Sequence, residues 1–166
     1  MATNAEWATA YARQADADFK TFQALQRTPL PECHKLQFLQ MACEKLVKAH
    51  LCGQGVDPPS LQKSHAYVAG TLPVVLRQYM SLINFTKPAA REVSKHVKHL
   101  SQEINVLAPA VKRGGDRPDN CEYPWADSNG TLHVPLDWSF YPSQLLVAPS
   151  GRAFLKLVRG AINQLL

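Results

Sequence analysis

The sequence predicts an all-α protein: an up-and-down bundle of four to five helices, with a long irregular segment before the last helix. Three observations lead there. Apolar residues recur at spacings of three and four over most of the chain, not at two. Capping and breaking residues bracket each such stretch. No repeat, low-complexity tract or composition break divides the 166 residues, so one domain spans 1–166, long enough to bury a real core.

Thr3-x-x-Glu6 fits a capping box, and Trp7, Tyr11, Ala15, Phe19, Phe22 and Leu25 follow at helical spacing. The first helix is therefore expected over about 4–27, stopped by "TPLP". The second starts near Pro31, carries Leu36, Leu39, Ala42, Cys43, Leu46, Val47 and His50, and ends at "CGQG". "VDPPS" opens a third helical region over about 59–84, where Pro73 predicts a kink or a break. Thr86 is the N-cap expected for a fourth helix, about 87–112, with Pro88 tolerated in its first turn. After "RGGDRP" the helical pattern gives way, and "EYPWADSNGTLHVP" sets Asn-Gly between short alternating runs, the signature of a small hairpin. The aromatic residues of this segment, Trp125, Trp138, Phe140 and Tyr141, read as folding back onto the helices. A last helix begins at Ser150, with Phe154, Val158, Ala161 and Leu165 as its apolar stripe and Arg152, Lys156 and Arg159 as a basic one.

With 46% hydrophobic and 19% charged residues, the composition is that of a soluble globular protein, expected in the cytoplasm. The N-terminal residues have no basic region followed by an apolar run and do not read as a signal peptide. No window approaches the ~18 apolar residues of a membrane span. Cys33, Cys43, Cys52 and Cys121 contain no CxxC pair and read as free thiols. The net charge of +5 permits phosphate-bearing partners such as nucleotides or RNA.

The stretch "KPAAREVSKHVKHLSQEINVL" holds the densest group of titratable residues. Val93, Val97, Leu100, Ile104 and Leu107 form an apolar seam, and Glu92, His96, His99 and Glu103 repeat the 4-3-4 spacing one residue earlier, as a stripe bordering the core. A di-metal bundle site needs Glu-x-x-His on each of two helices, and no Glu here has a His three residues on, so no metal or cofactor is expected. The default reading is a pair of i, i+4 surface contacts. The sharper alternative is catalytic. His96 would move a proton and Arg91 would hold a phosphate, cleaving RNA with its 2′-hydroxyl as nucleophile and without a metal. Residues five apart point about 140° from each other on a regular helix, so this needs a late helix start or a second chain.

Other cations are candidates for ligand binding. Lys45 and Lys48 lie one turn apart and form a phosphate patch if they face a groove with Arg91. Arg152, Lys156 and Arg159 form the clearest basic face, suited to RNA or an acidic partner. His50, at the end of an apolar helix, reads as a core or capping histidine, and Cys43 as packed.

The second helix, "LQFLQMACEKLVKAHL", with Glu44-Lys45 followed by Lys48-Ala49, resembles the helix typical of HEPN domains, the "higher eukaryotes and prokaryotes nucleotide-binding" family. "KSHAYVAGTL" is similar to that family's third helix, which often opens with a histidine, here His65, and "EYPW" is similar to its Arg-Tyr-Pro. The resemblance runs in order over about residues 16–166. It implies a four- to five-helix bundle, often a homodimer, that binds a nucleotide or nucleic acid, frequently beside a separate nucleotidyltransferase partner in toxin–antitoxin or defence systems. Some members are metal-independent ribonucleases carrying Arg-x(4–6)-His, a pattern that Arg91-x4-His96 matches. The expectation is thus a nucleotide- or nucleic-acid-binding domain. A ribonuclease using Arg91 and His96 is the alternative, and a non-catalytic interaction module the third reading.

Overall fold

The computed structural model describes residues 2–65, 67–109 and 119–166. Five long helices build the bundle: α1 (Asn4–Leu25), α2 (Glu32–Gly53), α4 (Val68–Leu82), α5 (Lys87–Val106) and α7 (Pro149–Leu165). Two short ones, α3 (Pro58–Gln62) and α6 (Tyr141–Val147), lie in the connections, and β1 (Trp125–Ala126) pairs antiparallel with β2 (Leu132–His133).

Helix α1 starts as its sequence signals. Glu6 N–H donates to the Thr3 hydroxyl, and the Glu6 carboxylate accepts from Thr3 N–H at 2.7 Å, the reciprocal capping box. It pairs antiparallel with α2: Lys35 reaches back to the Thr28 carbonyl at 2.9 Å, while Lys45, further along α2, meets Asp18 of α1. A second antiparallel pair is α4 with α5. A turn at residues 83–86 joins them at one end, and Ala69 N–H donates to Asn105 Oδ1 at the other. Helix α7 closes the bundle, packing on α1, α2, α4 and α5 together. Its apolar stripe explains the central position, since Phe154, Val158 and Ile162 are fully excluded from water. The α4–α7 contact depends on a glycine: the Tyr79 ring rests against Gly160 of α7, where a Cβ would collide with it.

Three expectations need correction. The third helical region does not break at Pro73. Its two helices are α3, ending at Gln62, and α4, starting at Val68 and running through Pro73. The proline removes one intrahelical donor only a turn from the helix start, a cost outweighed by burial of Val68, Leu72, Val75, Leu76 and Met80 along one face. Helix α5 ends at Val106 rather than near 112, consistent with Pro109 disfavouring helical backbone at Ala108. Residues 110–112 and the "RGGDRP" stretch lie outside the described residues. The segment before the last helix is less irregular than its composition suggests. The Asn-Gly hairpin forms, Asp127 accepting from Asn129 and Thr131 N–H at 2.9 Å each, and α6 follows it. Trp125 and Phe140 do fold onto the helices, whereas Trp138 and Tyr141 stay partly exposed. Among the described residues no helix is long and apolar enough to cross a membrane.

Candidate functional site

The polar residues of α2 form a compact internal network. Glu44 faces inward and is 6% exposed, and three donors meet its carboxylate: Gln40 Nε2 at 3.0 Å, the Lys48 ammonium, and His65 Nδ1 at 3.0–3.1 Å from both oxygens. Burial pushes the Glu44 carboxyl up, but the hydrogen bonds from Lys48, Gln40 and His65 outweigh it and hold its pKa below the ordinary value. An ionised carboxylate only accepts, so Nδ1 of His65 carries a proton, and in the neutral ring Nε2 does not. Beside this network Lys45 is ion-paired with Asp18, which also accepts from Gln14 at 3.1 Å.

Lys45 and Lys48 are thus both ion-paired within the bundle, not presented together as an open patch. Lys48 is buried against Glu44 and Lys45 is spent on Asp18, because α1 and the link before α4 cover this face of α2. His65 is likewise engaged, tying the link between α3 and α4 to α2. Across this region the sequence shows charges, but not that they neutralise one another.

Arg91 and His96 both lie on α5, both exposed. The helix is regular from Lys87, so Arg91 is past the capping turn and the two side chains of one chain point about 140° apart. His96 Nε2 is 3.8 Å from Glu92, which also receives Lys95 at 3.2 Å. Of the stripe only Glu103 is buried, while Glu92, His96 and His99 are exposed, the His99 ring lying T-shaped to Tyr141 with 6.0 Å between centroids. Among the described residues no group of three or more His, Cys, Asp or Glu could hold a metal ion.

The basic residues of α7 meet something different. Between α7 and α1 lies a hollow of about 510 Å³ with Phe19, Phe22 and Leu155 in its floor, Gln23, Gln26 and Asn163 offering side-chain amides, and Arg27, Lys156 and Arg159 supplying cations. Helix α7 itself carries three cations and no acid. Arg159 stacks over Phe19, its guanidinium carbon 5.8 Å from the ring centroid, and donates to Asp16, which also accepts from Lys20 at 2.7 Å. Burial raises the Asp16 carboxyl, but these two cations more than offset it, and its pKa falls below the usual value. Lys156 and Arg27 have no ion-pair partner among the described residues. The hollow continues into a second of about 230 Å³, which shares Phe22, Gln26 and Leu155 and reaches Ser143 and one charge of each sign, Lys35 and Glu32.

The basic face read from the α7 sequence thus divides. Arg152 caps the turn from α6 by donating to the Val147 carbonyl, Arg159 is paired with Asp16, and Lys156 lines the hollow. Arg27, Gln23, Gln26 and Asn163 were not singled out from sequence. The signal was present in part: Phe19, Gln23 and Arg27 follow at i, i+4, i+8, and Asn163 stands four residues after Arg159. That α1 and α7 bring these two rows together is tertiary information. No protein-family model, curated protein or solved structure matches the chain. Fold and site together describe a helical bundle with a cationic, amide-lined groove on one face.

Proposed function

We propose that the chain is a HEPN-like helical domain that binds a phosphate-bearing ligand, a nucleotide or a nucleic-acid strand, in the α1–α7 groove. The observation that carries this is the charge balance there. Arg27, Lys156 and Arg159 line one hollow that has no acid in its lining, and Asp16, the acid paired with Arg159, also receives Lys20. Lys156 and Arg27 would hold phosphate oxygens by charge-assisted hydrogen bonds. Gln23, Gln26 and Asn163 carry both donors and acceptors, the equipment for ribose hydroxyls and base edges. Phe19 and Phe22 are 1% and 2% exposed, so their rings form a closed floor rather than a stacking platform, and the binding energy would come from charge and amides. The resemblance of the α2 sequence to HEPN domains supports the same ligand class and adds a separate nucleotidyltransferase as protein partner.

Fluorescence anisotropy tests the reading, with a labelled single-stranded RNA and a fluorescent ATP analogue as probes. Binding by the wild type should weaken about tenfold in each of Lys156→Ala and Arg27→Ala, the equivalent of roughly 1.4 kcal/mol per lost contact. For the RNA, the slope of log K against log salt should shrink by about 0.7 per phosphate contact removed. Absence of binding to either probe at low salt, or binding indifferent to both substitutions, would sink the proposal.

A further inference from the structure

The second hollow, beside the cationic one, has a different chemistry. Its α2 wall is the first turn of that helix, where Glu32, Lys35 and Leu36 share one face at i, i+3 and i+4. Ser143 and Leu146 of α6 also line it, and Phe22 and Leu155 bring in α1 and α7. The first hollow carries three cations and no acid, whereas this one sets one charge of each sign among mostly apolar side chains. Together the two fall within the roughly 300–1,000 Å³ of small-molecule sites. A nucleotide divides in the same way, into a charged phosphate end and a planar, neutral base with a polar edge.

Both charges of the second hollow keep hydrogen-bonding capacity. Lys35 gives one of its three ammonium donors to the Thr28 carbonyl at 2.9 Å, and Glu32 accepts a long bond of 3.4 Å from Phe140 N–H. Neither is ion-paired among the described residues, with the other or elsewhere.

A carboxylate accepts two hydrogen bonds side by side, and an ammonium next to it donates a third. Guanine is the one RNA base whose Watson–Crick edge matches that order: N1–H and the 2-amino group donate side by side, and O6 accepts beside them. Adenine and cytosine each set a ring-nitrogen lone pair next to a single amino donor, and uracil sets one N–H between two carbonyls. Each of these would turn a lone pair toward a carboxylate oxygen and leave it unpaired. We propose that the second hollow is a guanine-selective base subsite, with Glu32 accepting from N1–H and the 2-amino group and Lys35 donating to O6. This rests on the phosphate site proposed above, formed by Lys156 and Arg27, and adds to it the choice of base.

Anisotropy titrations with GTP, ITP and ATP analogues labelled on the ribose separate the two claims. GTP should bind at least about tenfold tighter than ATP, the discrimination of one good two-bond pairing. ITP, which lacks the 2-amino group, should fall between them. Lys156→Ala should weaken all three alike. In Glu32→Gln the side-chain amide presents one acceptor and one donor, the complement of adenine, so GTP should weaken about tenfold and its advantage over ATP should vanish. Circular dichroism should show this variant folded, since the side chain is exposed and its amide oxygen can still accept from Phe140 N–H. GTP and ATP binding alike to the wild type, or a GTP preference that survives Glu32→Gln, would overturn the base subsite and leave the phosphate site standing. Binding of none of the three would remove the phosphate site and this assignment together.

Discussion

Replacing Glu44 by glutamine tests the internal network most directly. The amide keeps the shape and one acceptor of the carboxylate but removes its charge, leaving the Lys48 ammonium, whose side chain is 7% exposed, without a counterion. Breaking a buried pair from one side costs about 3–5 kcal/mol, because the survivor is an uncompensated buried charge. Against a total stability of roughly 5–15 kcal/mol this is a large fraction. At about 2–4 °C per kcal/mol for a domain of this size, the melting temperature should fall by roughly 6–20 °C. The pH dependence has a definite sign. The folded state holds the Glu44 carboxyl below its ordinary value of 4.5, so its contribution is fully present above that value and is lost as the pH falls through the lower, folded pKa. The gap between wild type and Glu44→Gln should therefore be widest near neutrality and narrow below about pH 4.5. Urea unfolding followed by circular dichroism at neutral and acidic pH measures it. Lys48→Met and the double variant complete a cycle in which the double change costs less than the sum of the singles. A Glu44→Gln protein within about 1 kcal/mol of wild type at neutral pH, with additive substitutions, would refute the account of a charge-dependent buried network.

Asp16→Asn removes the acid that shares Arg159, so it should tighten binding of the labelled RNA several-fold in the anisotropy titration. Gly151→Ala should destabilise by about 1–3 kcal/mol in thermal unfolding, since a Cβ there would overlap the Leu145 carbonyl and the Leu146 backbone, which cannot rotate aside as a side chain could. Asn84→Ala should cost about 1 kcal/mol in urea unfolding while Asn84→Gly is neutral or mildly stabilising, because only the glycine is at ease with φ 54°. Cys43 and Cys121, buried and with thiol pKa values pushed far up by desolvation, should resist iodoacetamide in the native protein and react once it is unfolded, as read by mass spectrometry.

Much of the fold was legible in the sequence because helix signals are local. Thr3 and Glu6 announce the start of α1 through a capping box, while Pro31 and "CGQG" bracket α2 and "TKPAA" opens α5 through the backbone preferences of proline and glycine, with no side-chain cap at either start. The Asn-Gly hairpin is local in the same sense. A break at Pro73, one of the two outcomes expected there, does not occur, because a proline's local cost is set against the burial of the α4 face, which depends on what the rest of the bundle packs against it.

The site followed the opposite rule. The sequence by itself determined a predominantly helical bundle, the apolar stripes that build its core, and the presence of unpaired-looking charges on α2, α5 and α7. Which charges remain available only the tertiary structure decided. Lys45 and Lys48 are consumed by Asp18 and Glu44, partners on different helices or a turn away inside the core, and Arg159 is shared with Asp16, a residue 143 positions earlier. Lys156 and Arg27 have no ion-pair partner among the described residues and, though far apart in the chain, line one hollow because α1 and α7 pack side by side. The physical reason is range. Helix formation is settled by bonds to neighbours in sequence, whereas the availability of a charge depends on what lies within a few ångströms in space, and that is fixed only when the helices pack.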